Sequence, residues 1–112
     1  MEKKIGKIQN IRLGYGGYQD AQFGLTVDLY SSKEYWGVTD FKGFWSTSHK
    51  CDKSCKWSEK DRDESFAKIM RFINQLLTES NKHSLDELKN VPVEVTFDGM
   101  TLKSWRILTE VL

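Results

Sequence analysis

QFGLTVDLY, residues 22–30, sets Phe23, Leu25, Val27 and Leu29 in strict alternation against Gln22, Gly24, Thr26 and Asp28. That period of two predicts a β-strand with one buried face. Upstream, Ile11, Leu13 and Tyr15 keep the same period, while Ile5 and Ile8 fall out of phase with it. A bulge near Gln9 and Asn10 would reconcile them. Downstream, Ser31-Ser32-Lys33 reads as a turn into a third strand over residues 35–41, antiparallel to the second, with Trp36 and Val38 on one side. Gly43 is expected to end or bend it.

Residues 46–56 are polar and unpatterned, the signature of an exposed loop. Ser58 with Asp61 three positions on is a capping box and predicts a helix start. Phe66, Ile69, Met70, Ile73, Leu76 and Leu77 then recur at spacings of three and four, an apolar stripe along about five turns. Phe72 lies off that stripe and reads as a widening of the core face. Asn81-Lys82-His83 breaks the helix, and Ser84 to Leu88 offers a second capping box for one short helical turn before Pro92. Val93, Val95 and Phe97, a turn at Asp98-Gly99, and the return over residues 102–111 form a hairpin with Trp105, Ile107 and Val111 inward, unless a bulge shifts the parity. The expected fold is α+β: a single domain over residues 1–112 with an antiparallel sheet of about five strands and one long helix packed on it. Its order is three strands, the helix, a short helix and two strands.

A chain of 112 residues has room for one core. Seventeen basic against sixteen acidic side chains give a formal net charge of +1, so no overall field draws nucleic acid or anionic lipid to the surface. The start of the chain is charged without an apolar run of signal length, and no stretch approaches a membrane span, which places the protein in the cytosol with Cys51 and Cys55 reduced. No cofactor motif, catalytic triad or phosphate-loop lysine is present.

Between Leu13 and Trp45, glycines and aromatic rings alternate around two aspartates, which reads as a binding surface. Gly14, Gly16 and Gly17 around Tyr15 would let backbone amides approach a phosphate, although they lead into a strand and not into a helix, as a phosphate loop requires. Tyr15, Tyr18, Trp36 and Trp45 supply stacking surfaces, of which at least two should be buried. Lys42 and Arg106 supply cations, and Asp20 and Asp40 supply acceptors for sugar hydroxyls or turn amides. His49, Cys51, Cys55 and, far downstream, His83 are potential zinc ligands whose spacing argues against a structural site, leaving a polar loop with two thiols.

GGYQDAQFGL at 16–25, WGVTDFKGFW at 36–45, KWSEKDR at 56–62, and VPVEVTFDGM with LKSWRILTEVL at the end together resemble a family of small phage- and prophage-encoded proteins, over nearly the whole chain. The resemblance implies an accessory protein acting in a bacterial host by binding or sequestering a host component, and it transfers no catalytic residues. The leading expectation is a non-enzymatic binder of a small anionic ligand, such as a nucleotide-derived host signal, through the glycine-aromatic surface with Lys42 and Arg106. The alternative is a protein-protein antagonist of a host enzyme or defence complex, with the aromatics of residues 36–45 as hot spots. A nucleic-acid binder is the least favoured class, since it needs Lys3, Lys4, Lys7, Arg12 and Lys42 on one face. Self-association stays open.

Overall fold

The computed structural model describes residues 1–50 and 54–112. Five antiparallel strands form one sheet: β1 Glu2–Gly16, β2 Gln22–Ser31, β3 Trp36–Trp45, β4 Pro92–Asp98 and β5 Thr101–Ile107, in the order β3-β2-β1-β4-β5. Helix α1, Glu59–Ser80, lies between β3 and β4 in sequence, and a short 3-10 turn, Leu85–Leu88, precedes β4. The expected α+β architecture and element order are therefore observed. Among the described residues, no helix is long and apolar enough to cross a membrane.

The long first strand serves two neighbours. Residues from Glu2 to Lys7 pair with β4, and those from Lys7 to Gly16 pair with β2. The register slips between Ile8 and Asn10, the bulge anticipated from the sequence. It inverts the parity, so Ile8 and Ile11 both point into the core. Ile5 has the opposite parity to Ile8, and one bulge cannot bury both; it stays half exposed on the outer face. β3 does not stop at Gly43 but runs on to Trp45, because Gly24 of β2 stands opposite Gly43 and the two strands close tightly there. A second slip, between Thr96 and Phe97, lets Leu102 and Trp105 share the inner face despite their unlike parity.

Leu25, Val27 and Leu29 of β2, Val93 and Val95 of β4 and Ile107 of β5 are each at most 1% exposed. Burial of a side chain of this kind contributes about 1.5–3 kcal/mol, so this inner face dominates stability. A flat five-stranded sheet would hold its edges about 19 Å apart, four strand spacings of about 4.8 Å. Here the Trp105 Nε1–H of β5 donates to Asp40 Oδ2 of β3 at 2.8 Å, and the Trp36 and Phe97 rings lie 5.3 Å apart, nearly perpendicular. The sheet is therefore coiled until its edges face each other, a partly open barrel whose seam is closed by side chains. Gly6 makes this possible: a Cβ there would lie 2.6 Å from the Trp36 ring and 2.5 Å from the Tyr30 carbonyl oxygen.

Helix α1 packs on the inner face through Phe66, Ile69, Phe72, Ile73, Leu76 and Leu77. Phe72 widens the core face as expected, meeting Trp105 edge-on at 5.7 Å. Met70 departs from the predicted stripe and is half exposed. Both hydrogen bonds of the Ser58–Asp61 capping box form, and Asn81 closes the helix in the left-handed conformation. The second capping box does not form: the Ser84 hydroxyl turns to Asp86, and the Glu87 carboxylate takes the His83 amide instead. Val111, expected inward, lies beyond the end of β5 in a terminal 3-10 turn and is exposed. The loop after β3 is not uniformly exposed. Ser46 is buried, its amide bound to the Ala21 carbonyl, and the buried Arg62 of α1 donates to the His49 carbonyl while stacking on Trp57 at 4.7 Å.

Candidate functional site

The outer face of β1, β2 and β3 carries the residues that the core leaves over, and the pairing register fixes its rows. Gly14, Gly24 and Gly43 stand directly across from one another on the three strands. The next row is Arg12, Thr26 and Phe41, and the row on the other side is Gly16, Gln22 and Trp45. Glycine in a strand interior sacrifices packing and marks a place where something approaches the backbone closely. Here that something is the Phe41 ring. A Cβ would come within 2.9 Å of it at Gly16, 3.1 Å at Gly17 and 2.4 Å at Gly43. The ring lies across this glycine floor, and Gly16 and Gly24 are buried although they face outward. Phe41 itself is half-buried. Beside it, Arg12 folds its guanidinium over Gly14, with Nη1 3.3 Å from where a Cβ would stand. None of the ion pairs formed among the described residues engages Arg12, Lys7, Lys33 or Lys68.

On the far side of β3, Phe41 and Gly43 border a cleft of about 330 Å³ shared with Ser65, Lys68 and Phe72 of the helix. The platform is thus an aromatic ring on a glycine floor, with Arg12 folded over Gly14 in the neighbouring row and Lys68 across the cleft. Such a pairing can stack a planar π-system and neutralise a phosphate attached to it.

The ten residues singled out in the sequence fall in several places. Gly16 and Gly17 are part of the platform floor, and Trp45 lies one row away with His49 against its ring at 5.5 Å. Gly17, with φ 70°, opens the turn Tyr18–Asp20, which leaves Tyr18 three-quarters exposed and Asp20 at the surface next to the platform end of β1. Tyr15 points to the opposite face, edge-on to Phe23 at 5.7 Å. Trp36 lies within the barrel, and its buried Nε1–H meets no acceptor among the described residues. Of the four aromatic rings expected to include buried ones, Trp36 and Trp45 are half-buried and the two tyrosines are exposed.

Asp40 and Lys42 belong to the seam. Lys42 Nζ lies 3.2 Å from Asp40 Oδ2 and 5.0 Å from the centre of the Phe72 ring, so both charges are turned inward. Arg106 is on the outer face of β5, remote from the glycines in the strand order. It grips Glu110 with two hydrogen bonds of 2.8 and 2.7 Å and donates from Nε to Glu94 at 3.1 Å. Those bonds raise the arginine further above its ordinary value and lower the Glu110 carboxyl to about 2. A cation held by two carboxylates is poorly disposed to an anionic ligand.

Of the five basic residues required of a nucleic-acid face, Lys3, Lys7 and Arg12 do share the outer side of β1, because the bulge moves the outward parity from odd to even residues. Lys4 and Lys42 face inward. No group of three or more metal-binding side chains occurs among the described residues. His83 is an exposed residue beyond the C-terminal end of α1, His49 stacks on Trp45, Cys55 is half-buried, and Cys51 lies outside the described residues. Sequence reasoning missed Phe41 as a site residue. Its signal was the coincidence of glycines on three strands, which becomes visible only once the register is known. No family model, curated protein or solved structure matches this chain.

Proposed function

We propose that this protein is a non-catalytic binding module that holds a nucleobase-containing, anionic ligand on the outer face of β1, β2 and β3. The observation that carries the reading is the Phe41 ring resting on the glycine floor beside a guanidinium that forms no ion pair among the described residues. A ring fixed against backbone has little side-chain entropy left to lose on binding. Arg12 over Gly14 and Lys68 across the adjoining cleft supply the cations for the ligand's phosphate. The architecture adds a second line of support: a partly open five-stranded barrel is also the form of oligonucleotide- and oligosaccharide-binding domains, which use the face of the second and third strands. That is an analogy of fold, and the residues named above carry the chemistry. In a phage accessory protein, such a face would withdraw a nucleotide-derived or nucleic-acid component of the host.

Arg106 and Trp36 have no part in this site, which separates the proposal from the wider surface drawn from sequence. Fluorescence titration with cytidine 5′-monophosphate tests it. Phe41→Ala is expected to weaken binding by fivefold or more, since base stacking contributes about 1–3 kcal/mol, whereas Arg106→Ala leaves binding unchanged. Equal affinities for the wild type and Phe41→Ala would refute the site.

One observation favours a protein partner instead. Tyr35 and Met100 are more than nine-tenths exposed and border the cleft of about 440 Å³ at the mouth of the barrel, beside Lys4 and Phe97. Loss of a host-protein complex on Tyr35→Ala, with Phe41→Ala silent, would favour that second reading.

A further inference from the structure

The outer face contains a second aromatic-cation pair that the platform alone does not explain. Tyr30 of β2 stands directly opposite Lys7 of β1, as Thr26 stands opposite Arg12 on one side and Phe41 on the other. Tyr30 and Thr26 are four residues apart on one strand and point the same way, so the two rows lie about 13 Å apart along it, four rises of about 3.3 Å. Tyr30 and Lys7 line a cleft of about 500 Å³ together with Ile5, Ser31, Ser32 and Lys33, where β1 turns from β2 toward β4. Glu34 also borders that cleft. Between the two pairs lies Asp28, which accepts the Thr39 hydroxyl at 2.6 Å through Oδ1. Its carboxylate is suited to the exocyclic amino group of a base such as cytosine.

A ring and a cation recurring along one face suit a ligand that itself repeats a base and a phosphate. We infer that the ligand is single-stranded nucleic acid, running from the Phe41–Arg12 platform to the Tyr30–Lys7–Lys33 cleft. This rests on the proposed use of the face and goes further by naming the polymer. One mononucleotide occupies one pair, while a strand occupies both, and the second contact then forms at high effective concentration. Four cations that form no ion pair among the described residues, Lys7, Arg12, Lys33 and Lys68, also predict a measurable salt dependence despite a net charge of only +1.

The test is competition of cytidine 5′-monophosphate and unlabelled octadeoxycytidylate against a fluorescein-labelled octadeoxycytidylate, followed by anisotropy at several salt concentrations. The expected result is an octamer bound at least about tenfold tighter than the mononucleotide, with a slope of log affinity against log salt near about −2.8, from about −0.7 for each of four phosphate contacts. Tyr30→Ala weakens the octamer and leaves the mononucleotide unchanged. Lys7→Ala, at an exposed side chain, lowers the slope by about 0.7. Equal affinities for the two ligands, with Tyr30→Ala and Lys7→Ala silent, would overturn the polymer inference and leave the platform reading intact. Binding of neither ligand would overturn both.

Discussion

Gly16→Ala isolates the contact on which the platform depends. A Cβ at Gly16 would lie 2.9 Å from Cε1 and 3.4 Å from Cδ1 of Phe41, with the next atom, Thr26 Oγ1, at 3.5 Å, an ordinary contact. The overlap is therefore with one ring. Gly16 lies in a strand and not in the left-handed region, so alanine adopts its backbone without strain. Two effects oppose each other. Alanine restricts the unfolded chain and stabilises by about 0.4–1 kcal/mol, while pressing a methyl against a pinned ring costs about 1–3 kcal/mol. In the wild-type background the net change runs from about zero to a loss of about 2.5 kcal/mol. In a Phe41→Ala background the overlap vanishes and the same substitution becomes stabilising by about 0.4–1 kcal/mol. Urea denaturation of the four proteins gives the coupling, expected at about 1–3 kcal/mol. Identical effects of Gly16→Ala in the two backgrounds, within about 0.5 kcal/mol, would refute the idea that the ring rests on Gly16.

Three further predictions follow from other parts of the molecule. Trp105→Phe removes the donor that ties Asp40 across the seam and should cost about 1.5–3 kcal/mol in urea denaturation, the range for a hydrogen bond to a charged group; a change near zero would mean that the barrel holds closed without it. Ser58→Ala breaks the capping box of α1 and should cost about 1 kcal/mol, read as a lower urea midpoint with unchanged m-value. Glu110 has its pKa lowered by folding, from 4.5 to about 2, so the unfolded chain binds the proton more readily. Its contribution is therefore complete above about pH 4.5 and is lost as pH falls through about 2. Carboxyl NMR titration should show the Glu110 midpoint returning to the ordinary carboxylate range in Arg106→Ala, and an unmoved midpoint would contradict the pairing.

Local periodicity made much of the fold legible. The alternation of Phe23 to Leu29, the parity break between Ile8 and Ile11, the Ser58–Asp61 box and the hairpin turn at Asp98-Gly99 each concern residues close in sequence, where sterics and hydrogen bonding act directly. The failures share a non-local cause. Gly43 reads as a breaker in isolation, but paired with Gly24 it lets β3 continue. Met70 satisfies the helical spacing yet lies at the edge of the arc that the curved sheet covers, while Phe72 reaches Trp105 across the seam. The binding face was legible only in outline. Gly16 and Gly17 were found because glycine is conspicuous, whereas Phe41 looked like any strand phenylalanine until the register placed it over glycines on another strand. Alternation says which face Trp36, Asp40 and Arg106 occupy. It does not say that Trp36 crosses to Gly6, that Asp40 takes the indole proton of Trp105, or that Arg106 is held by Glu94 and Glu110.

The central claim is that a base-bearing anion sits on Phe41 and Arg12. Backbone amide chemical-shift mapping of the labelled protein during titration with octadeoxycytidylate tests this most directly. The account predicts that the perturbed amides cluster at Arg12, Gly14, Gly16, Gly24, Phe41 and Gly43, extending to Lys7 and Tyr30. Shifts confined to Lys4, Tyr35 and Met100 at the barrel mouth, or around Arg106, with the glycine rows silent, would contradict it.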